Sequence, residues 1–236
     1  MRITAFPPCF RSRAAAGLLL AFLSLPLPAQ TAPSRRQILS RLNRAAARIH
    51  SLSAAAVNST VNSVVGVTDN STGKLYFLRT RGSPMLELNF DHPAPKEFLF
   101  RNGFGWIYQP LIQQAQRYDL RHSRAAFQTF MLVGIADSGT ELAQNFRLKI
   151  RGDSPLAGRP RVRLDLVPRS AKARRSISQI ELWFDPSNWV AVQQKYLQPS
   201  GDYRLLSLSQ VRINPALSSS IFSTRFPGAR KINEKF

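Results

Sequence analysis

The stretch "KLYFLRTRGSPMLELNFDHPAPKEFLFRNGFGWIYQ", Lys74–Gln109, decides the fold. It contains four runs of aliphatic and aromatic residues: "KLYFLR" (Lys74–Arg79), "MLELNF" (Met85–Phe90), "KEFLFR" (Lys96–Arg101) and "GWIYQ" (Gly105–Gln109). Between them stand "RGSP", "DHPAP" and "RNG", whose Gly, Pro, Asp and Asn suit tight reversals. Strand-sized runs at hairpin spacing predict antiparallel neighbours. Within "MLELNF", Glu87 and Asn89 alternate with Leu86, Leu88 and Phe90, so one face of the sheet is apolar.

The same pattern resumes downstream. "FRLKIR", "RVRLDLV" (Arg161–Val167), "SISQIELWF", "WVAVQQKYL" and "YRLLSLSQV" read as strands, with "DPSN" and "QPSGD" among the turns. In "RVRLDLV" Arg161, Arg163 and Asp165 alternate with Val162, Leu164 and Leu166. About eleven strands in hairpin order form an antiparallel sheet large enough to curl. Its apolar face needs either a covering helix or a cavity.

Two segments depart from the β period. Ser34 is a candidate N-cap, and Ile38, Leu39, Leu42, Ala45, Ala46 and Ile49 follow at helical spacing, with Arg41, Arg44 and Arg48 on the other side. The second is "RHSRAAFQTFMLVGIADSG", with a candidate N-cap at Ser123 and Ala126, Phe127, Phe130, Met131 and Val133 at helical spacing. So apolar a helix between polar loops is either a core plug or a lid over a cavity.

The first residues read as an export signal. Arg2, Arg11 and Arg13 precede the short apolar run "AAAGLLLAFLSLPLP", and small residues follow at Ala29 and Ala32. Residues 1–29 are therefore expected to be cleaved, near Ala29 or Ala32, leaving residues 30–236 as one periplasmic domain. Cys9, the chain's one cysteine, leaves with the signal, so disulfides and thiol chemistry are excluded from the mature protein. Loss of three arginines brings the formal charge from +20 to +17. The arginines are dispersed, and export removes the chain from cytoplasmic nucleic acid. Anionic membrane or an acidic protein is the expected partner, and nucleic acid is not.

Catalytic chemistry finds no footing in the sequence. The three histidines, His50, His92 and His122, lack metal-ligand spacing, and Asp91–His92 sits in a Pro-rich turn. "RGDSPL" (Arg151–Leu156) has a serine after Gly-Asp but no histidine downstream and no nucleophile elbow. No enzyme, metal or cofactor is expected.

The order of features resembles the LolA family, periplasmic carriers of outer-membrane lipoproteins. "ILSRLNRAAARIHSLSA" is similar to that family's first helix and its run into strand one. Asn102, Gly103, Trp106, Tyr108, Pro110 and Gln114 match its Gly…Trp-x-Tyr-x-Pro…Gln pattern. "FMLVG" resembles the following helix, "LDLVPR" (Leu164–Arg169) a strand end, and "FSTRFPGARKI" (Phe222–Ile232) the family's close. The resemblance covers nearly all of the chain beyond residue 29. It implies a half-open antiparallel β-barrel with an N-terminal helix and a helical lid, acting as a non-enzymatic, monomeric carrier. The partners implied are acylated lipoproteins, an inner-membrane ABC releasing complex and an outer-membrane acceptor. The expected acyl-cavity residues are Leu86, Leu88, Phe90, Phe98, Phe100, Trp106, Tyr108, Leu164, Leu166, Ile180, Leu182 and Phe184. Phe127, Phe130 and Met131 would form the lid. The family's Lys-Arg-Pro latch is replaced by "LRTRGSP", which leaves Arg79 or Arg81 as the latch and displaces the proline to Pro84. A lipid-binding or envelope-stress-sensing domain of the same fold, or a carrier of a phospholipid or glycolipid, is the alternative.

Overall fold

The computed structural model describes residues 34–80, 84–121, 134–135 and 137–234. The export signal, Arg81 and the lid residues Phe127, Phe130 and Met131 lie outside the described residues.

Helix α1 (Arg35–Arg48) starts where the sequence places it. Ser34 Oγ accepts from the Gln37 amide at 3.3 Å, and the Gln37 side chain accepts from the Ser34 amide at 2.8 Å. This reciprocal cap satisfies two of the amides that a helix start leaves without partners. Ile38, Leu42, Ala45 and Ala46 are buried, and the arginine stripe faces away from them.

The strands follow as β1 (Ser51–Val61), β2 (Thr68–Arg79), β3 (Pro84–His92), β4 (Lys96–Arg101), β5 (Phe104–Gln109) and β6 (Gln114–Asp119). Pro110 opens a 3-10 turn, and Gln113, at φ 46°, reverses the chain into β6. Then come α2 (Gly139–Asn145), β7 (Phe146–Asp153), β8 (Val162–Pro168), α3 (Ala171–Arg174), β9 (Gln179–Phe184), β10 (Ala191–Leu197), β11 (Tyr203–Ile213) and β12 (Arg230–Glu234). They form one twelve-stranded sheet in the order β12-β6-β5-β4-β3-β2-β1-β11-β10-β9-β8-β7. All pairs are antiparallel except β12 with β6. The expected fold is borne out, with one strand more than about eleven. That strand, "RKINE", is short, charged and parallel to its neighbour, so it carries neither a hairpin signal nor an apolar run.

The sheet is open, with β12 and β7 at its edges. On β7 the exposed Arg147, Lys149 and Arg151 discourage pairing with another chain. The sheet also curls. β4 and β11 are four strands apart, about 19 Å in a flat sheet at ~4.8 Å per strand. Even so, the pKa of Lys96 on β4 is lowered by burial and then by the charge of Arg204 on β11.

Both faces are covered, by different means. The concave face holds the main hydrophobic cluster, where α1 contributes Ile38, Leu42 and Ala45. Over β8 and β9 the convex face carries ion pairs. Asp165 takes Arg151 at 2.6 Å and Arg163 at 2.8 Å, and Arg163 reaches Glu181 at 2.7 Å. Over β2 to β6 it carries a second apolar cluster, in which Met85, Leu99 and Ala115 meet Phe222 and Phe226 of the segment leading to β12.

Candidate functional site

In a strand, alternate residues share a face. Direct cross-strand partners share it too. These rules and the register place the expected cavity residues. Leu86, Leu88, Phe90 and Phe100, together with Leu164, Leu166, Ile180, Leu182 and Phe184, lie in the concave-face cluster, and Phe98 packs against it. The structure thus brings ten of the twelve onto one continuous apolar face. Leu166, Ile180 and Leu182 are 0% exposed, and Phe90 meets Phe98 edge-on at 6.1 Å.

Trp106 and Tyr108 require correction. Trp106 pairs with Leu99, and Tyr108 with Glu97, so both point to the convex side. There they pack on Phe226, with ring centroids 5.5 and 4.9 Å away. The concave positions of β5 are Gly105 and Ile107, opposite Phe100 and Phe98. Aromatics signal burial, but here both faces are buried, so burial did not identify the side.

The segment expected to be a lid is described only at its ends, and both ends sit on the concave face. Leu120 and Ile135 belong to the main cluster. Gly134, at φ +90°, lies so close to β9 and β10 that a Cβ there would meet Ala191 Cβ at 3.0 Å and Leu182 Cδ1 at 3.1 Å. Asp137 accepts from the Gly134 amide at 2.8 Å. Burial raises the Asp137 pKa to about 7, with the Glu141 charge adding to it. The Gly134 hydrogen bond and the Arg79 charge pull it down. Arg79 Nη1 donates to Ala46 O of α1 at 2.9 Å. Arg79, one of the two latch candidates, therefore lies beside the end of α1 with its charge acting on Asp137.

Along the strands the concave face becomes polar toward one end. One rung reads Asn58, Leu206, Gln194 and Leu182 across β1, β11, β10 and β9. The next reads Thr60, Arg204, Tyr196 and Ile180. At this same end the loop residues Val64, Val65, Leu111 and Ile112 expose 84%, 67%, 72% and 60% of their surface.

Comparison with known proteins bears on the fold. No family model matches the sequence, and no curated protein matches it. Among solved structures, an uncharacterized conserved protein from Thermus thermophilus is 12% identical with a TM-score of 0.55, covering 86% of this chain and 100% of that one. MucB is 18% identical with a TM-score of 0.50; 81% of this chain covers 62% of MucB. A LolA superfamily protein from Nitrosomonas europaea is 12% identical with a TM-score of 0.41, covering 82% and 99%. This chain is similar in fold to the Thermus protein and to MucB.

Sequence reading passed over three features of the site. Helix α2 has a legible signal, Ser138 followed three residues later by Glu141. The Ser138 Oγ accepts from the Glu141 amide at 3.1 Å, and Glu141 accepts from the Ser138 amide at 2.9 Å. The role of Phe222 and Phe226 as a cover for the convex face has no local signal. Neither does the effect of the Arg204 charge on Lys96, since a strand pattern does not say how far a sheet curls.

Proposed function

We propose that this chain is a non-enzymatic periplasmic carrier of the LolA kind, which holds the acyl chains of lipoproteins against its concave face and moves them from the inner to the outer membrane. One observation carries the reading. A curled open sheet keeps a continuous apolar face that, among the described residues, no second sheet covers, and the described ends of the expected lid are anchored on that face. A protein that only needed a core would close the sheet or stack a second one on it.

The energetics call for such a face. Exposing an acyl chain to water costs about 0.8 kcal/mol per CH₂, so a sixteen-carbon chain costs roughly 13 kcal/mol. A lipoprotein with two or three chains does not leave a membrane unaided. A lid that fills the empty face and swings aside on loading lets the carrier bind chains and still release them. Phe127, Phe130 and Met131 are the lid residues in this reading, and Arg79 or Arg81 is the latch. The partners are an inner-membrane ABC complex that releases cargo and an outer-membrane acceptor. The likeness to MucB favours a second reading, in which the same face belongs to an envelope-stress-sensing domain.

Phe130→Glu tests the lid. The fold is expected to lose about 1–2 kcal/mol, because a mobile helix relieves the charge by swinging out. Binding of an acylated peptide, followed by fluorescence anisotropy, is expected to fall at least tenfold. Outright unfolding, or unchanged binding, would show Phe130 to be no part of a lid. The cysteine-free mature chain also accepts a single labelled cysteine on this segment as a reporter of its movement.

The charge makes a separate prediction. With a formal charge of +17 after loss of the signal, the protein is expected to sediment with phosphatidylglycerol vesicles at low salt. It should detach near physiological ionic strength, where exposed charges are screened over about 8 Å. Equal binding to neutral vesicles would remove the electrostatic account.

A further inference from the structure

We propose that the polar end of the concave face is a head-group site, in which Arg175 and Arg204 take a phosphate whose attached acyl chains run on along the apolar face, with Lys96 adding positive charge nearby. This rests on the acyl-binding reading of that face and adds a phospholipid to what it holds, since the acyl anchor of a lipoprotein carries no phosphate.

The site begins with a cavity of about 410 Å³ at the β10–β11 turn. That volume lies within the range of about 300–1,000 Å³ typical of small-molecule sites. Arg175 and Arg204 line it, with Ser176, Tyr196 and Ser200, and its lining includes no carboxylate. The nearest acid in the turn, Asp202, is engaged by the Ser63 amide at 2.9 Å, by Ser63 Oγ at 3.1 Å and by Ser200 Oγ at 3.0 Å.

Lys96 approaches from the other side of the curl. Burial lowers its pKa, and the Arg204 charge lowers it further. Burial likewise lowers the pKa of Arg204. Burying a cation costs free energy, and an anion held beside it offsets that cost. A phosphate is the matching anion, since it accepts several charge-assisted hydrogen bonds from guanidinium and ammonium groups at once. Beside the cavity, Gln194 is 0% exposed, and its Oε1 accepts from the Tyr196 hydroxyl at 2.9 Å. Its Nε2 finds no acceptor among the described residues, leaving a buried donor at the boundary between polar and apolar rungs.

Position argues for a lipid rather than a free phosphate. Arg204 is followed on the same face of β11 by Leu206 and Leu208, each step about 7 Å along the strand, and Leu206 is 0% exposed. Lys96 pairs directly with Phe90 of the apolar cluster and lies 5.1 Å over the Phe98 ring. A ligand phosphate held here therefore has the apolar face immediately beneath it.

The test compares dioctanoyl phosphatidylglycerol with dioctanoylglycerol, which has the same chains and no phosphate, by isothermal titration calorimetry on the mature chain. The phosphate-bearing lipid is expected to bind about ten- to a hundredfold more tightly. In the Arg175→Gln/Arg204→Gln double variant that preference falls to near one, while dioctanoylglycerol binds as before. Lys96→Gln gives a partial loss. Arg175 is exposed, so Arg175→Gln alone, checked by its melting temperature, serves if the double variant misfolds. It is expected to reduce the preference severalfold. Equal affinity of the parent for the two lipids, or a preference that survives the substitutions, would overturn the proposal and leave the acyl-binding reading intact. If glycerol 3-phosphate binds in an arginine-dependent way and neither lipid does, the phosphate site stands with a free phosphate as its source, and the carrier reading fails. If no phosphate compound binds, the site is refuted.

Discussion

Phe222→Ala is expected to lower the unfolding free energy by about 3–5 kcal/mol, measured by urea denaturation. Phe222 is 0% exposed and shares the convex cluster with Met85 of β3, Leu99 of β4 and Ala115 of β6. The truncated site cannot collapse readily, because those strands are held in register by their neighbours on both sides. The consequence extends beyond the cavity. Arg101 Nη1 donates to the Phe222 carbonyl at 2.7 Å, and the following residues place Phe226 on Trp106 and Tyr108 before β12 joins β6. Loosening Phe222 therefore frees the cover, and limited proteolysis should cut between Phe222 and Arg230 in the variant but not in the parent. A loss below about 1 kcal/mol with no new cleavage would show that the segment only lies on the surface.

The second large effect is on the pH dependence of stability. Glu87 is buried on the convex face between Tyr76 and Leu99, and its Oε2 has no hydrogen-bond partner among the described residues. Burial, then the charge of Glu97, raises its pKa from 4.5 to about 8. Burial raises Glu97 from 4.5 to about 7. A carboxyl whose folded pKa lies above its unfolded value holds its proton longer in the native state. The native state then binds more protons than the unfolded state between about pH 4.5 and 8. Stability is therefore expected to fall as pH rises through that window and to level off above it. Glu87→Gln keeps the shape and removes the charge. It should match the parent near pH 4 and exceed it by about 2–4 kcal/mol at about pH 8.5. Glu97 and Asp137, also raised, retain a smaller slope of the same sign. Denaturation midpoints across about pH 4–9 decide the matter. A parent whose stability is flat over that range, or a variant that follows the parent, would contradict the burial of this charge.

Local order was legible in the residues themselves. The alternation of Leu86, Leu88 and Phe90 with Glu87 and Asn89 reads directly as a strand with two unlike faces, and the structure keeps that division. Ser34 with Gln37 marks the start of α1, and Pro110 marks the reversal between β5 and β6. Hairpin spacing orders the strands from β1 to β6, because a short turn leaves a strand no neighbour but the one before it. What the residues could not say is where each face points once the sheet curls. Trp106 and Tyr108 share one side of β5 by periodicity alone, yet that side became the convex one because Phe226, more than a hundred residues later, covers it. The parallel β12–β6 pair and the effect of the Arg204 charge on Lys96 are of the same kind. Periodicity is a property of a few adjacent residues and survives in the string. Curvature, register at an open edge and the meeting of distant charges depend on how all twelve strands pack around α1, and only the tertiary structure decides them.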